Sequence, residues 1–333
     1  MLNVALIGAG YIADCHISAY GSMREGFVKV TAVVDNNPVS GQSAAGKANC
    51  KWFPSLEEAV ATVPVDVVDI CVPTFLHEQY AVKAAQMGKH VLCEKPVTLT
   101  LDSFDRMNSA CTEAGVKFMT AQVVRFFPEF IQVRRTLEQD ILGKLHMFSE
   151  KRLAQHPAWS SWHRDPGKSG GGLFDLNAHD IDYIYSLFGL PKQIHAIGWR
   201  SDTGCWNHVV TTMQWENMQA VCETSLEMTG DYPFTVGVRV VGDKGTLEYC
   251  SSAGANIKEK ETVNSLTIYP QGGTAQLLDP GTDDPFYKEL HAFMTAVAED
   301  AAVPIPTEET RDVLRMLLAT KESLESGAPV CLR

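Results

Sequence analysis

The apolar run Val4-Ala5-Leu6-Ile7 stops at Gly8-Ala9-Gly10-Tyr11-Ile12-Ala13, and a helical pattern follows. A strand, a glycine turn and a helix in that order open a parallel βαβ sheet. Gly8 allows the tight turn, Gly10 lets backbone N–H groups approach a pyrophosphate, and Ala13 still permits close helix–strand packing. The helix N-terminus then offers partial positive charge to phosphates, with Tyr11 and Ile12 in its first turn. A purely structural glycine turn reads the same way, so the assignment leans on a second signal. The apolar run Val30–Val34 ends in Asp35, where an acid can accept hydrogen bonds from ribose hydroxyls. Asn36-Asn37-Pro38 follows, with no Arg or Lys to meet a 2′-phosphate, so NAD is expected over NADP. The plainer reading of Asp35 is a turn former.

The alternation continues. Val65–Val72, Lys89–Cys93 and Lys117–Thr120 read as strands, and Leu56–Thr62, His77–Met87 and Leu101–Ala114 as helices. Ser55 and Glu58 form a capping box, and Gly88 and Gly115 stand where helix C-termini need positive φ. Residues 1–121 are therefore expected to be an α/β Rossmann domain on a parallel sheet. Beyond it the texture changes. A helix starts after Pro128, a Trp- and Gly-rich loop runs from His156 to Gly172, and a helix follows from about Leu173 to Phe188. Strand-like segments then lead to two helical patterns, Phe286–Glu299 and Glu308–Ser326. Residues 122–333 are expected to form an α+β domain on a broad, largely antiparallel open sheet that binds substrate and pairs subunits, with the last helices free to return to the first domain.

The chain's 333 residues suffice for two cores. A net charge of −12 with no basic run argues against nucleic acid as a partner. No apolar run reaches the ~18 residues that span a bilayer, and no secretory signal is visible, so a cytoplasmic protein without a membrane partner is expected. Nine scattered cysteines without a C-x-x-C pair suggest reduced thiols and no metal site.

Two further segments carry chemistry. Glu94-Lys95-Pro96 follows an apolar strand at the carboxyl end of the sheet, where a dinucleotide crevice opens. An ammonium there can hydrogen-bond a substrate hydroxyl. A solvated loop is the plainer alternative. Gly170-Gly171-Gly172 precedes Asp175 and His179, which are i and i+4 on one helical face, with Asp182 near the same face. A carboxylate beside an imidazole can orient it and stabilise its protonated form, as a general base for alcohol oxidation requires. A surface helix pair is the bland reading of the same spacing, but the triple glycine suits close backbone approach near a ligand.

These landmarks, together with Val72-Pro73-Thr74-Phe75-Leu76-His77, resemble over essentially the whole chain the glucose–fructose oxidoreductase, inositol dehydrogenase and rhizopine-catabolism (Gfo/Idh/MocA) family. The resemblance implies that Lys95, Asp175 and His179 are catalytic and that Pro73, Thr74, His77, Glu94 and Lys95 line the cofactor. Gln122 and Arg125 match the stretch after the last Rossmann strand, Gln122 toward the cofactor and Arg125 toward substrate. The family often has His-Asn where this chain has Gln122-Val123.

The expected reaction is hydride transfer between NAD and a secondary alcohol of a sugar or cyclitol. His179 takes the proton, Asp175 orients it and Lys95 hydrogen-bonds the same oxygen, at the junction of the two domains. A keto-sugar reductase or dihydrodiol dehydrogenase of the same fold, and a non-catalytic NAD-binding regulator, are the alternatives. The loop Gln155–Asp165 is crowded with aromatic and polar groups that suit a carbohydrate, and Trp162 and Arg164 lie nearest the glycines. Tyr287 reads as an ordinary helix start. Strands such as Thr235–Val241 have apolar residues on both faces, so a homodimer or homotetramer through the second sheet is expected.

Overall fold

The computed structural model describes residues 1–156, 161–254 and 261–332, the side chains of 261–263 excepted. The chain divides into two compact units, Met1–Phe126 with Asp283–Arg311, and Phe127–Thr282 with Asp312–Arg333. Against the expected boundary after residue 121, the first unit runs on to Phe126 and takes in a segment from near the C-terminus.

In the first unit six parallel strands form one sheet: β1 (Leu2–Ile7), β2 (Val28–Val34), β3 (Lys51–Phe53), β4 (Val67–Ile70), β5 (His90–Glu94) and β6 (Phe118–Ala121). Their order is β3-β2-β1-β4-β5-β6. The order reverses between β1 and β4, and ligands of such sheets bind at the strands' carboxyl ends at that reversal. Helices α1 (Tyr11–Gly21), α2 (Pro38–Lys47), α3 (Leu56–Thr62), α4 (His77–Gln86) and α5 (Leu101–Glu113) connect the strands. Ser55 accepts the Glu58 N–H to cap α3, and Gly88 and Gly115 take φ of 68° and 65° after α4 and α5. The Pro285–Ala298 helix sets Leu290, Phe293 and Met294 into the same core as Val4, Leu6 and Ile17. Its Phe286 ring lies 5.9 Å from the His16 ring.

The second unit holds a nine-stranded sheet in the order β14-β13-β12-β11-β7-β10-β9-β8-β15. The strands are β7 (Leu145–Leu153), β8 (Gln193–Arg200), β9 (Trp206–Gln214), β10 (Gln219–Ser225), β11 (Thr235–Gly242), β12 (Gly245–Ala253), β13 (Glu261–Pro270), β14 (Gln276–Leu278) and β15 (Val330–Cys331). All neighbours are antiparallel except β7 and β10. One face is covered. Phe148, Val238, Val240, Leu247 and Leu266 are buried there, with Tyr183 standing edge-on to Phe130 at 4.7 Å. The helix expected as one piece from Leu173 is two: after α6 (Pro128–Glu138) and α7 (Pro166–Ser169) come α8 (Gly172–Asp175) and α9 (Asn177–Phe188), broken at Leu176. No helix among the described residues is long and apolar enough to cross a membrane.

Candidate active site

Residues of the first unit that sequence reading marks for a cofactor stand in the turns after successive strands. Gly8 and Gly10 follow β1, Asp35 follows β2, Pro73 and Thr74 follow β4, Glu94 ends β5 and Lys95 follows it, and Gln122 follows β6. Gly8 has φ of 100°, and a Cβ there would stand 2.7 Å from the Cys71 carbonyl oxygen. The turn is therefore pressed against the end of β4, and only glycine fits. Gly10 has nothing within 4 Å of a Cβ position, so its space opens outward from the N-terminus of α1. Asp35 accepts the Ala9 N–H through Oδ2 at 2.8 Å and the Asn37 N–H through Oδ1 at 2.7 Å, which ties the β2 acid to the glycine turn. The Trp52 indole donates to the Asp35 carbonyl at 2.9 Å. Tyr11 is 40% exposed, and partial burial with Cys15 beside it pushes its phenol up to about 12.

The Gln122 Oε1 is buried and meets no hydrogen-bond donor among the described residues. An acceptor left bare at the end of β6, an open cradle at Gly10 and an acid at the end of β2 fit a dinucleotide. The guanidinium of Arg125, expected toward substrate, pairs with Glu309 at 2.5 Å.

His77 is buried rather than facing a cleft. Its Nε2 lies 2.8 Å from the Val72 carbonyl, and its Nδ1 3.1 and 3.2 Å from those of Pro96 and Val97. Burial lowers its pKa, and the ring packs between the carbonyls of the chain after Lys95 and that of the end of β4.

Below Lys95 lies a polar cluster that the sequence did not announce. His16 of α1 is fully buried. Its Nδ1 is 2.8 Å from Asp69 Oδ2, which also accepts the Tyr20 hydroxyl at 2.8 Å. Its Nε2 is 3.2 Å from Glu94 Oε1, close but off the axis of an ideal hydrogen bond. The other Glu94 oxygen accepts the Lys95 backbone N–H at 3.0 Å. Burial alone would lower the His16 pKa, but Asp69 and Cys71 together outweigh it and hold the imidazolium well above its usual range. Cys71 donates to Asp69 at 3.5 Å. These ligand-type atoms of His16, Asp69 and Cys71 are thus joined to one another already. A signal for the cluster existed: Asp69 is the one acid in the buried strand Val67-Val68-Asp69-Ile70, and a buried charge needs a partner.

In the second unit Asp175 closes α8 and His179 lies in the first turn of α9, both half-buried. Asp182, expected near their face, is fully buried, as is Asp180. Asp180 Oδ1 accepts from Arg152 Nε of β7 at 2.7 Å, and Glu150 lies 3.8 Å from the same guanidinium. Asn177 accepts from Cys222 at 3.0 Å and Thr224 at 3.1 Å of β10. Buried polar bonds thus fasten the start of α9 to the two central strands, which sets where His179 stands. Burial first, and Asp180 next, push the Glu150 carboxyl well above its usual range.

The triple glycine has a packing reason. A Cβ at Gly171 would meet Cys205 Cβ at 2.7 Å, and the Gly172 N–H donates to Asn207 Oδ1 at 2.9 Å. Of the aromatic loop, Pro157 to Ser160 lie outside the described residues. Trp162 is half-buried and stacks on His163 with ring centroids 3.9 Å apart, whereas Arg164 is exposed. His163, between Trp162 and Arg164, brings its Nε2 to 3.8 Å from Asp175 Oδ2.

Comparison with known proteins agrees with this geometry. Residues 2–122 match the model described as an oxidoreductase family with an NAD-binding Rossmann fold, and residues 130–248 match the GFO/IDH/MocA C-terminal domain. The chain is 31% identical over 201 residues to a 2,7-anhydro-N-acetylneuraminate hydratase of Escherichia coli K12, a match over 60% of this chain and 53% of that protein. The chain thus matches about half the length of that relative. It is 25% identical over 308 residues to the scyllo-inositol 2-dehydrogenase (NADP(+)) IolU of Bacillus subtilis 168, over 90% and 89% of the two chains. The WlbA dehydrogenase of Bordetella pertussis, solved with NADH and UDP-GlcNAcA, shares the fold with a TM-score of 0.84 at 20% identity, over 100% and 98% of the chains. With both domain models matched in order along the chain, the protein belongs to the Gfo/Idh/MocA oxidoreductase family.

Proposed function

We propose that the protein transfers hydride between NAD and a secondary alcohol of a sugar or cyclitol. The observation that carries this reading is the turn after β5, where Lys95 follows the strand next to β4 in a sheet whose β1 turn is open for a pyrophosphate. Gly10, the N-terminus of α1, Asp35, Thr74 and Gln122 are the residues to hold NAD. NAD, when bound, supplies the hydride acceptor. His179 takes the hydroxyl proton, Asp175 orients the imidazole, and Lys95 hydrogen-bonds the substrate oxygen. General acid–base help of this kind contributes roughly 10²–10⁴-fold. Trp162 and His163 present a stacked aromatic surface beside Asp175 that suits a sugar ring's apolar face, and exposed Arg164 its polar edge.

NAD is favoured over NADP because the Asp35 carboxylate at the end of β2 would repel a 2′-phosphate. Comparing kcat/KM for the two cofactors tests this, and a strong preference for NADP would refute it. The uncovered face of the second sheet carries Ile197 at 63% exposure, Trp199 at 56% and Tyr269 at 46%, which favours a homodimer or homotetramer through it. A monomeric mass at micromolar concentration would contradict that.

Incubation with NAD⁺ and a panel of inositols and aldoses, followed by the absorbance of reduced nicotinamide, tests the reaction. Net reduction with a polyol supports the proposal. A second reading is favoured by the likeness to a hydratase: a reaction on a sugar with no net redox change. It predicts a converted sugar and no accumulated reduced cofactor. Tight NAD binding without conversion of any polyol or keto compound would instead mark a regulator.

A further inference from the structure

We propose that His16 is a positioning residue that links the pyrophosphate helix to the lysine turn through Glu94. This rests on the reading of Lys95 as a catalytic residue. The chain of contacts is short. His16 Nε2 stands 3.2 Å from Glu94 Oε1, and Glu94 Oε2 accepts the Lys95 backbone N–H at 3.0 Å. On its other side, His16 Nδ1 bonds Asp69 at 2.8 Å, and the Tyr20 hydroxyl shares that carboxylate. One buried ring therefore ties α1, β4 and the end of β5. Glu94 is 6% exposed and Asp69 is fully buried, so water does not replace a lost partner.

The surroundings leave His16 as the cation in the cluster. Glu289 of the Pro285–Ala298 helix is fully buried beside Glu94 and the Gln122 backbone, and burial first, with Glu94 next, pushes its carboxyl well above the usual range. Two carboxylates, Asp69 and Glu94, face the ring from opposite sides, and the ring between them holds the Glu94 side chain at the end of β5 against α1. The angle at which the chain leaves β5 decides where the Lys95 ammonium points. Displacing a positioned group by about 1 Å costs up to about 10²-fold in rate.

Two substitutions divide the ring's functions. His16→Asn keeps a donor near the Nδ1 position for Asp69 and drops the Glu94 contact. His16→Gln keeps a donor near the Nε2 position for Glu94 and drops the Asp69 contact. The experiment measures kcat and KM on a polyol turned over by the wild type, NAD⁺ affinity and thermal unfolding for both variants, beside Lys95→Ala and Glu94→Ala. The expected result is a kcat lowered about ten- to hundredfold in His16→Asn and Glu94→Ala, with NAD⁺ affinity in His16→Asn within about threefold of wild type. His16→Gln, which keeps a donor for Glu94 but loses the charge and the Asp69 bond, should lose less kcat than His16→Asn. Unchanged kcat in His16→Asn overturns the proposal, as does a loss in both His16 variants that follows only their loss of thermal stability. If His16→Asn does not fold, Glu94→Ala carries the same test, and unchanged kcat there overturns it equally. Undiminished turnover in Lys95→Ala would mark the failure of the underlying reading, separately from the role of His16.

Discussion

Alanine at Gly8 and at Gly10 should separate folding from cofactor binding, although the two positions lie in the same turn. At Gly8 the backbone has φ of 100°, where an L side chain costs about 1–2 kcal/mol. The new Cβ would stand 2.7 Å from the Cys71 carbonyl oxygen and 2.9 Å from its carbon, main-chain atoms that cannot rotate aside. Overpacking of this kind adds about 1–3 kcal/mol. The sum, about 2–5 kcal/mol, corresponds to a fall in Tm of roughly 4–20 °C for a domain of this size. Gly10 has φ of −91° and ψ of −167°, an extended conformation open to any residue, and no atom lies within 4 Å of its Cβ position. Alanine there loses only the modest N-cap advantage of glycine, under about 1 kcal/mol. Its methyl group, however, fills the space a phosphate oxygen needs to reach the backbone amides. Losing one such charge-assisted bond costs about 1.5–3 kcal/mol, a Kd for NAD⁺ raised roughly ten- to hundredfold. Thermal melts by circular dichroism and calorimetric titration with NAD⁺, at a temperature where all three proteins are folded, read both effects. Wild-type NAD⁺ affinity in Gly10→Ala would refute the placement of the pyrophosphate at this turn. A wild-type melt for Gly8→Ala would refute the packing argument.

Other consequences follow from the buried charges. Glu150 and Glu289 have carboxyl pKa values raised by burial, and His16 an imidazolium raised by Asp69, so the folded chain keeps protons that the unfolded chain releases. Stability therefore falls as pH rises above the ordinary carboxylate range. Glu150→Gln removes part of that slope, so its Tm relative to wild type should climb between about pH 5 and pH 8. A relative Tm that falls over this interval would contradict the assignment. Arg152→Met strips the cation from Asp180 and Glu150 and should cost about 3–5 kcal/mol in denaturant unfolding. Adding Asp180→Asn to Arg152→Met should recover part of the loss, and strictly additive losses would show that the pair is not coupled.

The first unit was largely legible because its signals are local. Glycine turns, the Ser55 cap and apolar strands bounded by Asp or Pro each declare themselves within a few residues, and Asp35 follows from its strand. The second unit hid its central strand. β7 reads Leu-His-Met-Phe-Ser-Glu-Lys-Arg-Leu, and its inward positions include Glu150 and Arg152, so an ion pair occupies the place where apolar alternation would mark a strand. β3, with three residues, is too short to carry a period. The apolar stripe of the Pro285–Ala298 helix announces a core, but a stripe does not say which core, and Leu290, Phe293 and Met294 belong with α1 and β1. The catalytic candidates Lys95, Asp175 and His179 are visible as types at suggestive spacings. What supports them is not, because His16, Asp69 and Glu94 lie far apart in sequence and meet only in the fold.

In the proposed reaction a carbinol hydrogen leaves the substrate as hydride for the nicotinamide, and His179 removes the hydroxyl proton. A polyol deuterated at its ring carbinols, incubated with NAD⁺ and the protein, tests both steps when the nicotinamide is analysed by mass spectrometry. Deuterium should enter the cofactor with wild type, and at a rate roughly 10²–10⁴-fold lower with His179→Ala while that variant still binds NAD⁺. Substrate conversion with no deuterium in the cofactor, or an undiminished transfer rate in His179→Ala, would contradict it.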